Sequence, residues 1–227
     1  MDSYREPYRR TITAAIAAVA WLAVAVTTSV LAQGTTTMID MTRMTVGAPP
    51  ADFEFGRTGQ GTIGQWIVVA DPSANNGRAI EQSSTDRTDY RFPLAISALV
   101  SAQNLNVVLR FKAVSGRVDR AAGIALRLLD ADNYYVVRAN ALEDNVRFYR
   151  VVTGRREQLE GANLKVSSNE WHTLGLRVEG DRFTITFNGK TLYTAGDKTF
   201  PAAGKVALWT KADSVTRFDQ IKITTLP

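Results

Sequence analysis

Short runs of alternating apolar and polar residues, turn dipeptides between them, and the lack of any sustained 3.6-residue period predict an all-β chain. The expected architecture is a two-sheet antiparallel jelly-roll sandwich, preceded by an N-terminal signal helix. No segment recurs at a fixed spacing, which argues against a propeller or solenoid.

The leader comes first. Arg5, Arg9 and Arg10 precede an unbroken apolar stretch, Ala14 to Val26, and Val30-Leu31-Ala32 forms a small-residue ending before Gln33. A basic start, a short apolar region and such an ending are what a signal peptidase reads, so residues 1–32 are expected to be a signal peptide cleaved after Ala32. The alternative is an uncleaved anchor, since including the flanking threonines stretches the span to about 20 residues, enough for a bilayer. Gln33 stands where lipid attachment would need a cysteine, so a lipoprotein is not expected. Residues 33–52 carry Thr, Met and Gly, end at Pro49-Pro50 and hold no sustained period; they read as a linker or a loosely attached first strand.

The domain is expected over 53–227. Its clearest strand is Phe183-Thr184-Ile185-Thr186-Phe187, with three apolar side chains on one face and two threonines on the other. Asn188-Gly189 follows, a pair that accepts positive φ at both central turn positions, and Thr191-Leu192-Tyr193 returns. Leu174, Leu176 and Val178 alternate upstream, making 171–193 a three-strand meander. Further strands are predicted near 66–70, 79–82, 90–96, 105–113, 122–129, 133–140, 145–152, 205–210 and 216–224. Turns are expected at Asp71-Pro72, Ser115-Gly116, Asp130–Asn133, Thr153-Gly154 and Gly196-Asp197.

Composition narrows the chemistry. The 227 residues contain no cysteine and one histidine, His172. Thiol nucleophiles, thiolate-held metals and a histidine-rich zinc site are therefore excluded. Catalysis would have to rest on carboxylates, or on the one imidazole as a general base. His172 shares parity with Leu174 and Leu176, which places it in the core. The net charge of +5 is scattered, with Arg155-Arg156 the one adjacent basic pair after the leader. A nucleic-acid partner is not indicated. Asp130-Ala131-Asp132-Asn133 has the donors for calcium but lacks the remaining loop positions and reads as a hairpin turn. Neither a metal nor another cofactor is implied.

Period 2 also says which side chains leave the core. Arg127 lies opposite Ile124, Leu126 and Leu128; Tyr134, Arg138 and Asn140 lie opposite Tyr135, Val137 and Ala139; Asn145, Arg147 and Tyr149 lie opposite Val146 and Phe148. With these strands adjacent, Arg127, Tyr134, Arg138, Asn140, Asn145, Arg147 and Tyr149 form a candidate glycan-binding surface. Guanidinium and amide groups pair with hydroxyls, and aromatic faces pack on sugar rings. The competing reading is a solvated face of cross-strand pairs.

Several strings then matter together: Asp132-Asn133-Tyr134-Tyr135-Val136-Val137-Arg138-Ala139-Asn140, Trp171-His172-Thr173-Leu174, Phe187-Asn188-Gly189, Gly204-Lys205-Val206-Ala207-Leu208-Trp209-Thr210, and Phe218-Asp219. In this order, over about 53–225, they resemble the concanavalin A-like lectin/glucanase superfamily. The closer likeness is to its laminin-G-like and 3-keto-disaccharide hydrolase type branch. The resemblance implies two curved sheets that bind or act on glycans at a concave face. Glucanases of this superfamily resemble one another in a Glu-x-Asp-x-x-Glu or Glu-x-Asp-x-Glu strand that this chain lacks. Glu179-Gly180-Asp181 is followed by Arg182, Phe183 and Thr184 and falls in a turn, so no catalytic residue is carried over.

The resulting expectation is a secreted or periplasmic module that binds an oligo- or polysaccharide, glycan or cell-envelope polymer, through a concave sheet. Membrane contact is expected only through an uncleaved leader, and the oligomeric state stays open. Two alternatives remain: a sugar-cleaving enzyme using Glu143, Asp144 or Asp213, and a protein–protein interaction module.

Overall fold

A computed structural model of the protein describes residues 1–3 and 34–227, so the apolar stretch and cleavage position of the expected leader lie outside the described residues. Fifteen strands follow one another along the described chain. They are β1 (Thr36–Met38), β2 (Phe53–Gly59), β3 (Trp66–Ala70), β4 (Arg78–Gln82), β5 (Arg91–Ala102), β6 (Leu105–Ser115), β7 (Ala121–Asp130) and β8 (Asn133–Asn140), then β9 (Asn145–Val152), β10 (Arg155–Asn163), β11 (Trp171–Glu179), β12 (Arg182–Phe187), β13 (Lys190–Gly196), β14 (Gly204–Trp209) and β15 (Val215–Thr225).

They form two antiparallel sheets. Sheet I runs β13-β12-β11-β6-β15-β4-β3, with β1 also paired to β15; sheet II runs β10-β9-β8-β7-β14-β5-β2. Sequence neighbours pair as hairpins along β7-β8-β9-β10 and β11-β12-β13, while β14 inserts between β5 and β7 and β15 between β4 and β6. Those long returns produce a jelly roll in place of a simple meander.

Alternation sets the core between the sheets. Leu105, Val107, Leu109 and Phe111 of β6 point inward with Leu174, Leu176 and Val178 of β11 and Phe183, Ile185 and Phe187 of β12. Ala122, Ile124, Leu126, Tyr135, Val137, Val146 and Phe148 answer them from sheet II. Each large side chain so buried contributes about 1.5–3 kcal/mol against the chain entropy lost on folding. The Asn188-Gly189 turn has φ of 48° and 77°, as predicted for a two-residue hairpin.

His172 is packed where its parity puts it. Its ring stacks on Phe187 at 5.2 Å and lies 5.6 Å from Phe111, with Nε2 3.1 Å from the Ser167 carbonyl and Nδ1 3.2 Å from the Asn188 amide.

Two strands, β10 and β2, are absent from the sequence prediction, and β1 lies in the segment read as a linker or a loosely attached first strand. β10, with the sequence Arg-Arg-Glu-Gln-Leu-Glu-Gly-Ala-Asn, is a largely exposed edge strand with no apolar alternation. β2 is the opposite edge of sheet II. β1 is three residues long and owes its place to pairing with β15. The segment that read as linker or first strand is also anchored by its side chains, since Ile39, Met41 and Met44 are buried in the main core.

Candidate functional site

Sheet II is curled on its outer face, and hydrogen bonds measure the curl. In a flat sheet β10 and β5 would stand five strand spacings, about 24 Å, apart. Instead the Tyr90 hydroxyl, next to β5, donates to the carbonyl of Gly154 in the β9–β10 turn at 2.9 Å and accepts from the Arg156 amide at 3.1 Å. Across the same face the Tyr134 hydroxyl meets the Thr58 hydroxyl of β2 at 2.7 Å. The outer face is thus a trough.

One end of the trough is filled. Phe92, Leu94, Tyr134, Val136, Val151 and Trp209 form a second apolar cluster there. Arg156 lies over it, its guanidinium 4.4 Å from the Tyr149 ring, 4.8 Å from Phe92 and 5.9 Å from Trp209. A cation stacked on aromatic faces is stabilising and shields them from water. The aromatic floor at this end is therefore occupied by the protein's own arginine.

The residues predicted for a glycan surface divide accordingly. Tyr134 is fully buried, its hydroxyl engaged by Thr58 and by the Trp209 indole N–H at 3.2 Å; burial pushes its pKa up to about 12. Asn140 is buried as well and does a turn's work: its amide donates to Asp119, and its oxygen accepts the amides of Leu142 and Glu143.

Arg127 is not on the trough at all. Between Ala125 and Leu128, β7 holds one residue more than β14 does between Lys205 and Ala207, so β7 carries a bulge. Arg127 takes φ of 46° there, and the alternation slips: Leu126 lies in the inter-sheet core and Leu128 in the trough cluster. The Arg127 guanidinium turns inward and donates to the carbonyls of Gln103 (2.9 Å), Phe200 (2.9 Å) and Gly180 (2.5 Å). Strand parity counted through the bulge put it on the wrong face. Gly204 is what lets β14 pass so close, since a Cβ there would fall 2.4 Å from the Arg127 carbonyl carbon.

The four remaining residues, Arg138, Asn145, Arg147 and Tyr149, do come together, beside that cluster and sharing Tyr149 with it; Arg138, Asn145 and Tyr149 are themselves buried. Arg138 donates to Asn145 Oδ1 (2.5 Å), to Glu143 Oε2 (2.7 Å) and to the Tyr149 hydroxyl (3.2 Å). Asn145 also donates to Glu143 Oε2 at 3.1 Å. Arg147, directly across from Arg138, lies over the bare Gly161 and reaches Asn163 Oδ1 at 2.5 Å. Burial opposes the Glu143 charge, but Arg138 and Asn145 outweigh it and hold the carboxyl below the usual glutamate range. Beneath this group Asp119 is buried, which pushes its carboxyl upward against the pull of Lys211 at 2.9 Å; Lys211 also reaches Asp89 at 3.0 Å.

Sequence reasoning weighed Glu143 only as a possible acid and missed Asp119, Lys211, Arg156 and Asn163. No local signal marks them, because they are joined by the curl of the sheet and by the loops at its end. The three carboxylates considered for catalysis are each engaged. Glu143 pairs with Arg138, Asp144 binds Lys165 (2.9 Å) and the Val166 amide (3.0 Å), and Asp213 accepts three backbone amides. In the Asp130–Asn133 turn the Asp130 carboxylate accepts the Asp132 amide and the Asn133 side chain, closing the turn on itself.

A family model described as the galactocerebrosidase C-terminal lectin domain matches residues 100–226, more than half of the chain. The chain belongs to that lectin-domain family. Among solved structures this lectin-family chain is similar to the carbohydrate-binding module CBM66 from Bacillus subtilis, at 21% identity and a TM-score of 0.58, over 74% of this chain and 94% of that one. It is also similar to domain 4 of AbnA, a GH43 extracellular arabinanase from Geobacillus stearothermophilus in complex with arabinotriose (12% identity, TM-score 0.55, 86% and 94% covered). The Bacillus licheniformis β-glucanase shares the fold as well (12% identity, TM-score 0.53, 86% and 99% covered). No curated protein matches the sequence. At these identities the structural likenesses speak for the fold alone, a two-sheet antiparallel jelly roll.

Proposed function

We propose that the protein is an exported glycan-binding module whose saccharide lies in the polar end of the sheet II trough. One observation carries this reading. Glu143 keeps Oε1 without a partner among the described residues and is half exposed, while Arg147, directly across from Arg138, offers donors beyond its single bond to Asn163. A sugar hydroxyl both donates and accepts, so a fixed acceptor beside a fixed donor is what it requires. Arg138 and Asn145 hold Glu143, and Asn163 holds Arg147, before a ligand arrives, which lowers the ordering cost of binding. Membership of a lectin-domain family supports the reading, as does the likeness to a carbohydrate-binding module and to an arabinanase domain seen with arabinotriose. Ion pairing of Glu143 with Arg138 favours binding over bond cleavage, because a carboxylate held by a cation is a poor base and a poor nucleophile. The leader motivates a secreted or periplasmic location.

Glycan-array screening of the full chain, followed by affinity electrophoresis on the best polymer, tests the proposal. Arg147→Ala and Glu143→Gln should each weaken binding about tenfold, the worth of one hydrogen bond to a charged group. Failure of the unaltered protein to bind any oligosaccharide or envelope polysaccharide would remove the binding claim.

A further inference from the structure

A second recess lies at the loop end of the sandwich, away from the trough floor. Thr85, Arg87, Ser115, Gly116, Arg117 and Asp213 line a volume of about 430 Å³, in the range that small-molecule sites occupy. Its walls are fixed from behind. The fully buried Arg91 donates to the carbonyls of Thr62 (2.7 Å) and Ala212 (2.5 Å) and to the Ser84 hydroxyl (3.0 Å), tying together the loops on either side. The Asp213 carboxylate accepts the amides of Arg117 (2.8 Å), Val118 (3.0 Å) and Asp119 (3.1 Å), which sets the shape of the Gly116–Asp119 loop.

The chemistry left over is one-sided. Asp213 is consumed by those three amides. The Arg87 guanidinium approaches it only to 3.9 Å and is largely exposed, and the Arg117 side chain is exposed. Among the described residues, neither guanidinium and neither hydroxyl of Thr85 and Ser115 makes a hydrogen bond. Two guanidinium groups and two hydroxyls thus line the recess against one ionised carboxylate whose oxygens are held by backbone amides, which leaves the lining net positive. The complement is a ligand with a negative group for the guanidinium forks and hydroxyls for Thr85 and Ser115.

We infer that this recess is a second binding site, for a carboxylate-bearing sugar unit such as a uronic acid residue of a polysaccharide, distinct from the trough. It stands independently of the trough reading, since it shares no lining side chain with it.

The test is an NMR titration of the labelled full chain at low salt with hexagalacturonate, using the neutral galactohexaose as the matched control. The amides of Gly116, Arg117 and Val118 should shift saturably with the acidic oligomer and not with the neutral one. Arg87→Gln combined with Arg117→Gln should weaken that binding at least tenfold, and Arg147→Ala should leave it unchanged. The two arginines make no hydrogen bonds through their side chains, so the double variant should keep the wild-type amide spectrum elsewhere, and a thermal melt checks this. Equal shifts with the neutral oligomer, absence of shifts with the acidic one, or an undiminished response in the double variant would each overturn the inference. A protein that binds neutral glycans on the array but fails here loses this site and keeps the trough; the opposite result loses the trough alone.

Discussion

Replacing Arg127 by methionine separates the two roles that residue could have. Seen as an outward strand residue, Arg127 would contribute to glycan binding and little to stability. In the structure its guanidinium satisfies three backbone carbonyls, of Gln103, Phe200 and Gly180. Methionine keeps most of the buried stem and removes all three donors. The Phe200 bond is buried, so its carbonyl loses about 1–3 kcal/mol when left unpaired; the other two are partly buried and lose about 0.5–1.5 kcal/mol each. The expected destabilisation is therefore about 2–6 kcal/mol, measured as the change in unfolding free energy in urea by tryptophan fluorescence. Arg127→Gly should cost about 1 kcal/mol less than Arg127→Ala, because glycine adopts the φ of 46° without a Cβ penalty. Glycan affinity of the folded variants should stay at the wild-type value. A loss of stability below about 1 kcal/mol, or a selective loss of glycan binding, would refute the structural role of Arg127.

Two further outcomes follow from other parts of the chain. Burial raises the Asp213 carboxyl, but the three amides it accepts outweigh that and hold its pKa below the ordinary 3.8. Its contribution to stability is thus present above about pH 4 and lost as the pH falls through the lowered folded value; Asp213→Asn should melt lower at pH 7 and lose less on acidification than wild type, and parallel pH profiles in thermal melts would contradict this. N-terminal sequencing of the mature protein should read from Gln33, and a start at Met1 or Asp2 would show that the leader stays attached.

The legible parts of the fold were those in which each residue's environment follows from its neighbours in sequence. The β11–β12–β13 meander could be read from Leu174 to Tyr193 because alternation and a two-residue turn are local. The two faces of β9 could be separated by parity, but which of them turned outward could not. β10 was invisible because an exposed edge strand needs no apolar pattern, although the Thr153-Gly154 turn that starts it was apparent. Arg127 was misplaced because a bulge is one extra residue measured against a partner strand, and β14 lies some 80 residues further along the chain. Tyr134, Arg138, Asn140, Asn145 and Tyr149 were judged accessible but are buried, since parity gives direction and not depth.

The sequence alone determined that this chain is an all-β sandwich without thiol chemistry, with its one histidine in the core and no glucanase carboxylate strand. Those properties rest on composition and on period 2, which belong to the chain itself. Which polar groups meet was decided only by the tertiary structure. The curl that brings Tyr90 to Gly154 closed the aromatic end of the trough under Arg156 and left Glu143 and Arg147 as its open end. Curl and bulge are relations between strands far apart in sequence, so no local pattern encodes them.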